Sequence, residues 1–183
     1  AGTVKLHDRL DRGRERSQPV ERFGRISGMI ETAENLAREY NITREQSDAF
    51  AAQSQQRAAA AWEAGRFADE VVPVSVPQRK GDPVVVSRDE GVRPDTTVET
   101  LARLKPIMKD GVVTAGNASQ QNDAAAACLV MSEERAQALG LEPIGYLVGW
   151  AAAGCEPGIM GIGPVPAVKK VFERTGLSFK DMD

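Results

Sequence analysis

The chain has 183 residues, 42% of them apolar and 27% charged, the proportions of a soluble globular protein of one domain, or of one domain with a small attachment. Its formal net charge of −3 argues against a protein built to sit on phosphate backbones. Two cysteines, Cys128 and Cys155, and one histidine, His7, exclude a disulfide framework and the Cys₄ and Cys₂His₂ zinc sites, and any Cys–His nucleophile pair inside the chain would have to use His7.

Residues 3–25 interleave Arg9, Arg12, Arg14, Arg16, Arg22 and Arg25 with Asp8, Asp11, Glu15 and Glu21. Mixed charge predicts a solvated surface or an oligomer contact; a purely basic arm would predict nucleic acid or an anionic membrane. From Gly28 the pattern turns helical, with Met29, Ala33, Leu36, Ala37 and Tyr40 on one inward face and Asn41 closing the helix. A second helix starts at Thr43, whose spacing to Gln46 is that of a capping box, passes through Ala58–Ala61 to Trp62 and stops at Gly65. The valines of residues 70–77 predict a strand, and Pro73 and Pro77 confine it to an edge or irregular position. A turn at Gly81-Asp82-Pro83 leads to a second short strand, Val84 to Ser87. After an acidic loop, Thr96 with Glu99 predicts another capping box, opening a short helix with Val98, Leu101 and Leu104 inward, which Pro106 ends.

Residues 124–131 form an apolar run that periodicity leaves open between strand and helix. Ser132 caps a helix that carries Glu133 and Glu134 in its first turn and Gly140 after its end. Ile144 to Ala153 predicts a strand buried on both faces. The glycine-rich stretch Gly154 to Gly163 leads to Pro164 at the first position of a helix, with Val168, Val171 and Phe172 inward and Gly176 closing it. Ser178 and Asp181 have the spacing of a further helix start. The class is therefore α/β. No segment reaches the ~18 apolar residues of a membrane span, and the N-terminus lacks the apolar core of a signal peptide, so the expected compartment is the cytoplasm with reduced thiols. Ala1 in place of methionine predicts a processed chain or a fragment.

The chemistry on offer is incomplete. Gly154–Gly163 could turn backbone N–H groups toward a phosphate at a helix start, but it matches neither the dinucleotide fingerprint nor a P-loop. Cys155 lies near that helix start, where a thiolate is favoured; the competing reading is a small buried residue in a tight loop. Cys128 reads as core and His7 as a solvated surface side chain. Asp89, Glu90, Asp95 and Glu99 read as a solvated acidic loop rather than an acid–base pair.

Several stretches together carry a resemblance. They are Glu31-Thr-Ala-Glu-Asn35, Arg44-Glu-Gln-Ser-Asp-Ala-Phe50, Gly65-Arg-Phe67 with Val71-Val-Pro-Val74, and Asp89-Glu-Gly-Val-Arg-Pro-Asp-Thr-Thr97. Next come Leu104-Lys-Pro106, Val113-Thr-Ala-Gly-Asn-Ala-Ser119, Asn122-Asp123, Met131-Ser-Glu133 and Met160-Gly-Ile-Gly-Pro-Val-Pro-Ala167. In this order and spacing the chain resembles the middle of a thiolase, the family of acetyl-CoA acetyltransferases and 3-ketoacyl-CoA thiolases. Residues 1–27 match more loosely.

The resemblance implies part of a layered αβαβα fold with an α+β loop domain inserted in its N-terminal half. It divides the chain into a CoA-binding loop domain (1–121), the end of the N-terminal thiolase domain (122–141) and the start of the C-terminal one (142–183). It implies a CoA-dependent acyltransferase of fatty acid metabolism and β-oxidation, working by reversible Claisen condensation or thiolysis. The partners implied are acyl-CoA and a second copy, in a dimer or tetramer with residues 3–25 as candidate contacts; no metal, prosthetic group, nucleic acid or membrane span is implied. The family's catalytic cysteines and histidine match none of Cys128, Cys155 and His7, so this chain alone is expected to be inactive. The CoA-binding residues carried over by position are Met29, Arg93, Thr100, Leu101, Met108, Ala115, Ala118 and Ser119. Arg93, Thr100 and Leu101 match positions at the nucleotide end, Ala115, Ala118 and Ser119 the loop along the pantetheine arm, Met108 the pantetheine channel, and Met29 the acyl end. Gly28, where short-chain members often have histidine, departs from the family pattern, as do Gln120 and Ala124, where small glycines are common. A non-catalytic CoA or acyl-CoA binding module and an interaction domain without ligand are the competing classes.

Overall fold

The computed structural model describes residues 9–17, 20–23 and 28–182. His7 and parts of the 3–25 segment lie outside the described residues. Within that segment are two short helices, α1 (Arg9–Ser17) and α2 (Val20–Phe23), on which Arg9, Arg12, Arg16 and Arg22 are exposed. The chain divides into two compact units: the described residues up to Leu36 with those from Asn122 onward, and Ala37–Gln121.

The Ala37–Gln121 unit is organised on the long helix α4 (Arg44–Glu63). The helix begins where Thr43 and Gln46 exchange side-chain and backbone hydrogen bonds, the expected capping box. Gly65, in the left-handed conformation at φ 68°, follows its end. The inward stripe of α4 holds Asp48, Ala52 and Ala59. The small alanines let neighbouring backbone come close, and a short helix, α5 (Val98–Ala102), packs on this side. Strands β1 (Val74–Val76) and β2 (Val84–Val86) pair antiparallel, Val74 opposite Val86, around a turn where Gly81 takes φ 86°. All their side chains are exposed. Trp62 packs on Phe67 at 5.0 Å between ring centroids, and the Arg88 guanidinium lies 5.6 Å over the Trp62 ring, fastening the end of α4 to the segment after β2.

The other unit contains the first turns of α3 (Met29–Glu39), α6 (Glu133–Ala138) and α7 (Pro164–Thr175). Ser132 caps α6, Pro164 opens α7, and Gly140 and Gly176 close them at positive φ, as the sequence predicts. Residues Pro157–Ile162 form a 3₁₀ turn held by Asn35, whose Nδ2 donates to the Gly158 carbonyl at 2.7 Å. A Cβ at Gly161 would lie 2.7 Å from Leu36 Cδ1, so a side chain there would have to push Leu36 aside.

Five expectations need correction. The inward face of α3 is not Met29–Ala33–Leu36–Tyr40: Met29 is 68% and Tyr40 51% exposed, while Glu34 and Ala37 are buried and Ile30 is half-buried. The stripe is turned by one residue, about 100°, and Glu34, buried on it, is not without a partner. The cap of α5 is Thr97 with Thr100, not Thr96 with Glu99, and of the inward residues expected there only Leu101 is buried, Val98 and Leu104 being exposed. Thr96 is buried instead, its hydroxyl donating to the Arg93 carbonyl. Ile144–Ala153 forms no strand, and Ile144, Leu147, Val148 and Trp150 are exposed. A strand is stable only where neighbours complete its ladder, and none of the described residues does so; α7 reaches this segment through Lys170 to the Ala152 carbonyl and Arg174 to the Trp150 carbonyl. For the same reason the 124–131 run has no regular structure, and Cys128 in it is exposed rather than core. Cys155 is exposed too, with Sγ 3.7 Å from the Met160 carbonyl, so neither thiol is the small buried residue expected.

Four carboxylates sit at helix starts: Glu45 on α4, Glu99 on α5, Glu134 on α6, and Asp181 in the terminal 3₁₀ turn (Phe179–Asp181). In the three glutamates the residue's own backbone N–H, then the cap hydroxyl of Thr43, Thr97 or Ser132, holds the carboxyl below the ordinary value of 4.5. For Asp181 the Ser178 hydroxyl and then its N–H do so from 3.8. A lowered folded-state value stabilises the fold fully above the ordinary value and is lost as pH falls through the lowered one. Helicity and urea midpoint should therefore be flat near neutrality and fall on acidification below about pH 4.5. The triple variant E45Q/E99Q/E134Q should flatten that acid limb in a circular-dichroism titration; an unchanged limb would refute the assignment.

Candidate functional site

Helix α4 presents polar side chains to loops that come from elsewhere in the Ala37–Gln121 unit. Arg44, at its first turn, donates from Nε to Asp48 Oδ2 at 2.7 Å and from Nη2 to the carbonyls of Leu101 and Leu104 at 2.7 and 3.0 Å. Those carbonyls lie at the C-terminal end of α5, where helix geometry leaves acceptors open. Asp48 is 1% exposed, and its other oxygen accepts from Asn117 Nδ2 at 3.0 Å. Farther along, Gln55 Oε1 accepts from the Arg93 backbone N–H, and Gln56 Nε2 donates to the Thr96 carbonyl. One helix thus holds three segments: 93–96, 101–104 and the loop around Asn117.

That loop is closed on itself. Asn117 Nδ2 also donates to the Val112 carbonyl, and its Oδ1 accepts from the Thr114 N–H at 2.8 Å. Thr114 is fully buried; its hydroxyl accepts from Gly116 N–H and its carbonyl from Ala118 N–H. A side chain on Gly116 would collide with Leu101 Cδ2 and Leu104 Cδ1, so the backbone lies directly on these leucines. Ile107 N–H bonds the Val113 carbonyl and Gly111 N–H that of Met108, bringing the Met108 turn against the same loop. Gln120 donates to the Gly91 carbonyl at 3.2 Å, which gives the larger side chain at that position a structural use.

The residues singled out by sequence fall as follows. Arg93 is exposed, its backbone tied to α4. Thr100 is exposed, but its hydroxyl donates to the Thr97 carbonyl and serves the α5 cap. Leu101 is 5% exposed, Met108 and Ala118 are half-buried, and Ala115 and Ser119 are exposed. These seven share the Ala37–Gln121 unit; Met29 belongs to the other unit and is exposed. Asp89, Glu90, Asp95 and Glu99 are all exposed, as a solvated loop should be. Sequence reasoning assigned no role to Arg44, Asp48, Gln55, Gln56 or Asn117. A signal existed for two of them, since Arg44 and Asp48 stand four apart on the stripe that continues through Ala52.

No group of His, Cys, Asp and Glu among the described residues could hold a metal, and no described helix is long and apolar enough to cross a membrane. What the unit offers is an exposed arginine, a run of small residues and an exposed hydroxyl on segments that side-chain hydrogen bonds tie to α4.

Two family models match the chain: the thiolase N-terminal domain over residues 21–134 and the thiolase C-terminal domain over 141–183. An acetyl-CoA acetyltransferase of Chromobacterium violaceum is 56% identical over 153 residues, which are 83% of this chain and 39% of that protein. A probable acetyl-CoA acyltransferase of Staphylococcus epidermidis has the same identity and coverage. Among solved structures, the Bacillus anthracis acetyl-CoA acetyltransferase superposes with a TM-score of 0.83 at 48% identity, over 86% of this chain and 40% of that one. Human mitochondrial 3-ketoacyl-CoA thiolase gives 0.79 at 47% identity, over 85% of this chain and 39% of that one. The chain spans about 39% of the length of the curated relatives it matches.

Proposed function

The chain belongs to the thiolase family and has part of its layered α/β fold, and from that premise we propose that its Ala37–Gln121 unit holds the coenzyme A moiety of an acyl-CoA. The protein it represents would be a CoA-dependent acyltransferase, catalysing reversible Claisen condensation or thiolysis. The supporting observation is that the matched positions other than Met29 lie in one unit, on segments that α4 ties together by side-chain hydrogen bonds. On this reading Arg93 meets phosphate at the nucleotide end, while Ala115, Ala118 and Ser119 line the pantetheine arm. Small side chains let the arm lie against backbone, and the Ser119 hydroxyl can bond one of its amides.

In thiolysis and condensation a cysteine thiolate takes the acyl group, a second cysteine moves the α-proton, and oxyanion holes hold the developing charge. Cys128, Cys155 and His7 do not stand at those positions. The 183 residues therefore supply binding and no catalytic group.

One sample tests both parts. Titrating CoA into the chain by calorimetry should give saturable heat, weakened about tenfold by Arg93→Ala, the loss of one charged contact. Acetoacetyl-CoA thiolysis should be absent from the same preparation. No heat of binding would sink the CoA reading; measurable thiolysis would sink the assignment of a binding role alone.

A further inference from the structure

We infer that Asn117, held by Asp48, is the positioning residue that sets the pantetheine loop, and that Asp48 and Arg44 fix its spacing from the nucleotide end. This rests on the CoA reading of the Ala37–Gln121 unit. The amide of Asn117 has no freedom to turn. Its Nδ2 faces two acceptors, Asp48 Oδ1 and the Val112 carbonyl, and its Oδ1 faces one donor, Thr114 N–H. A flip would set oxygen against oxygens and nitrogen against nitrogen. The backbone of 112–117 is thereby pinned from inside, and Ala115 and Ser119 are left on the exposed side of the turn.

Asp48 faces both ways. Through Asn117 it holds the pantetheine loop; through Arg44 it is joined to the carbonyls of Leu101 and Leu104, beside Thr100. An elongated ligand that spans both regions is held well only if they keep one separation, because misplacement by about 1 Å forfeits much of a preorganised contact. Arg93 is held separately, through Gln55. The nucleotide end should thus survive the loss of Asn117, and the pantetheine end should not.

The test compares CoA with 3′,5′-ADP, which has the nucleotide end and no pantetheine, by calorimetry on the 183-residue chain. Asn117→Ala should weaken CoA about tenfold and leave 3′,5′-ADP within about twofold. The exchange D48N/N117D restores an amide–carboxylate bond between the two positions and keeps acceptors for Arg44 Nε and Thr114 N–H, while the Val112 carbonyl loses its donor. It should recover part of the CoA affinity that Asn117→Ala loses, and it keeps the question answerable if the single variant fails to fold. Equal weakening of both ligands, or no recovery in a folded exchange variant, would overturn the positioning role. If the unsubstituted chain binds 3′,5′-ADP and CoA with equal affinity, the pantetheine loop contributes nothing and the role fails while a nucleotide site stands. If it binds neither, the CoA reading falls and this inference with it.

Discussion

Asp48→Ala is expected to destabilise the Ala37–Gln121 unit by about 3 kcal/mol, the lower end of what breaking a buried ion pair costs. The carboxylate is 1% exposed and makes two hydrogen bonds to different elements. Its removal leaves the Arg44 guanidinium short of its counter-charge and Asn117 short of an acceptor. The cost stays at the lower end because the Arg44 side chain is 19% exposed and keeps the carbonyls of Leu101 and Leu104. Helix electrostatics do not explain the pair. Arg44 stands at the N-terminus of α4, where positive charge opposes the dipole, and arginine four before an acid is the weaker order. The bond is there for tertiary reasons, to join α5 and the Asn117 loop to α4. Asp48→Asn should cost about 1–3 kcal/mol, since its NH₂ would face that of Asn117. Urea unfolding followed by Trp62 fluorescence in a Trp150→Phe background reports this unit, because Trp62 lies in it and the exposed Trp150 does not. A loss below about 1 kcal/mol for Asp48→Ala would show a pair that contributes no more than a surface one.

What could be read from sequence divides along the same line, between local chemistry and distant partners. The starts of α4, α6 and α7 were legible at Thr43, Ser132 and Pro164 because each is set by groups within a few residues. The start of α5 was misplaced by one residue although the chemistry was right. Thr96 and Thr97 offer the same hydroxyl, and Thr100 closes the box as well as Glu99 could. Thr96 is instead buried, its carbonyl accepting from Gln56, forty residues away, and its hydroxyl donating to the Arg93 carbonyl. Ile144–Ala153 departs from the expected strand for a related reason: apolar composition states a need for neighbours and does not supply them. In the site, motif matching reached the exposed Arg93 and the 113–119 loop. It gave no sign that Asp48 meets Asn117 across 69 residues, since each looks like an ordinary polar residue in its own segment.

Leu101→Ala should bring the other large loss, about 2–4 kcal/mol, by a different mechanism. Leu101 is 5% exposed and lies on the backbone of Gly116, with Leu104 beside it. Truncation removes the apolar contact and leaves a hole between α5 and the 114–118 turn, but the Leu101 carbonyl still accepts from Arg44. The polar network therefore stays, and the cost is one of packing. Gly116 tests this directly. In the native background Gly116→Ala must push Leu101 and Leu104 aside, an overpacking cost of about 1–3 kcal/mol. In the Leu101→Ala background the same methyl still meets Leu104 Cδ1 but no longer Leu101 Cδ2, so its cost should shrink. A smaller cost in the second background is what contact between the two residues requires, because independent sites would simply add. Urea midpoints of the four proteins decide it: Gly116→Ala destabilising by the same amount in both would separate Leu101 from the loop. The result also bears on the ligand. Leu101 is 5% exposed and so has little surface left for a nucleotide, and Leu101→Ala should lower stability more than it lowers CoA affinity at a temperature where the variant remains folded.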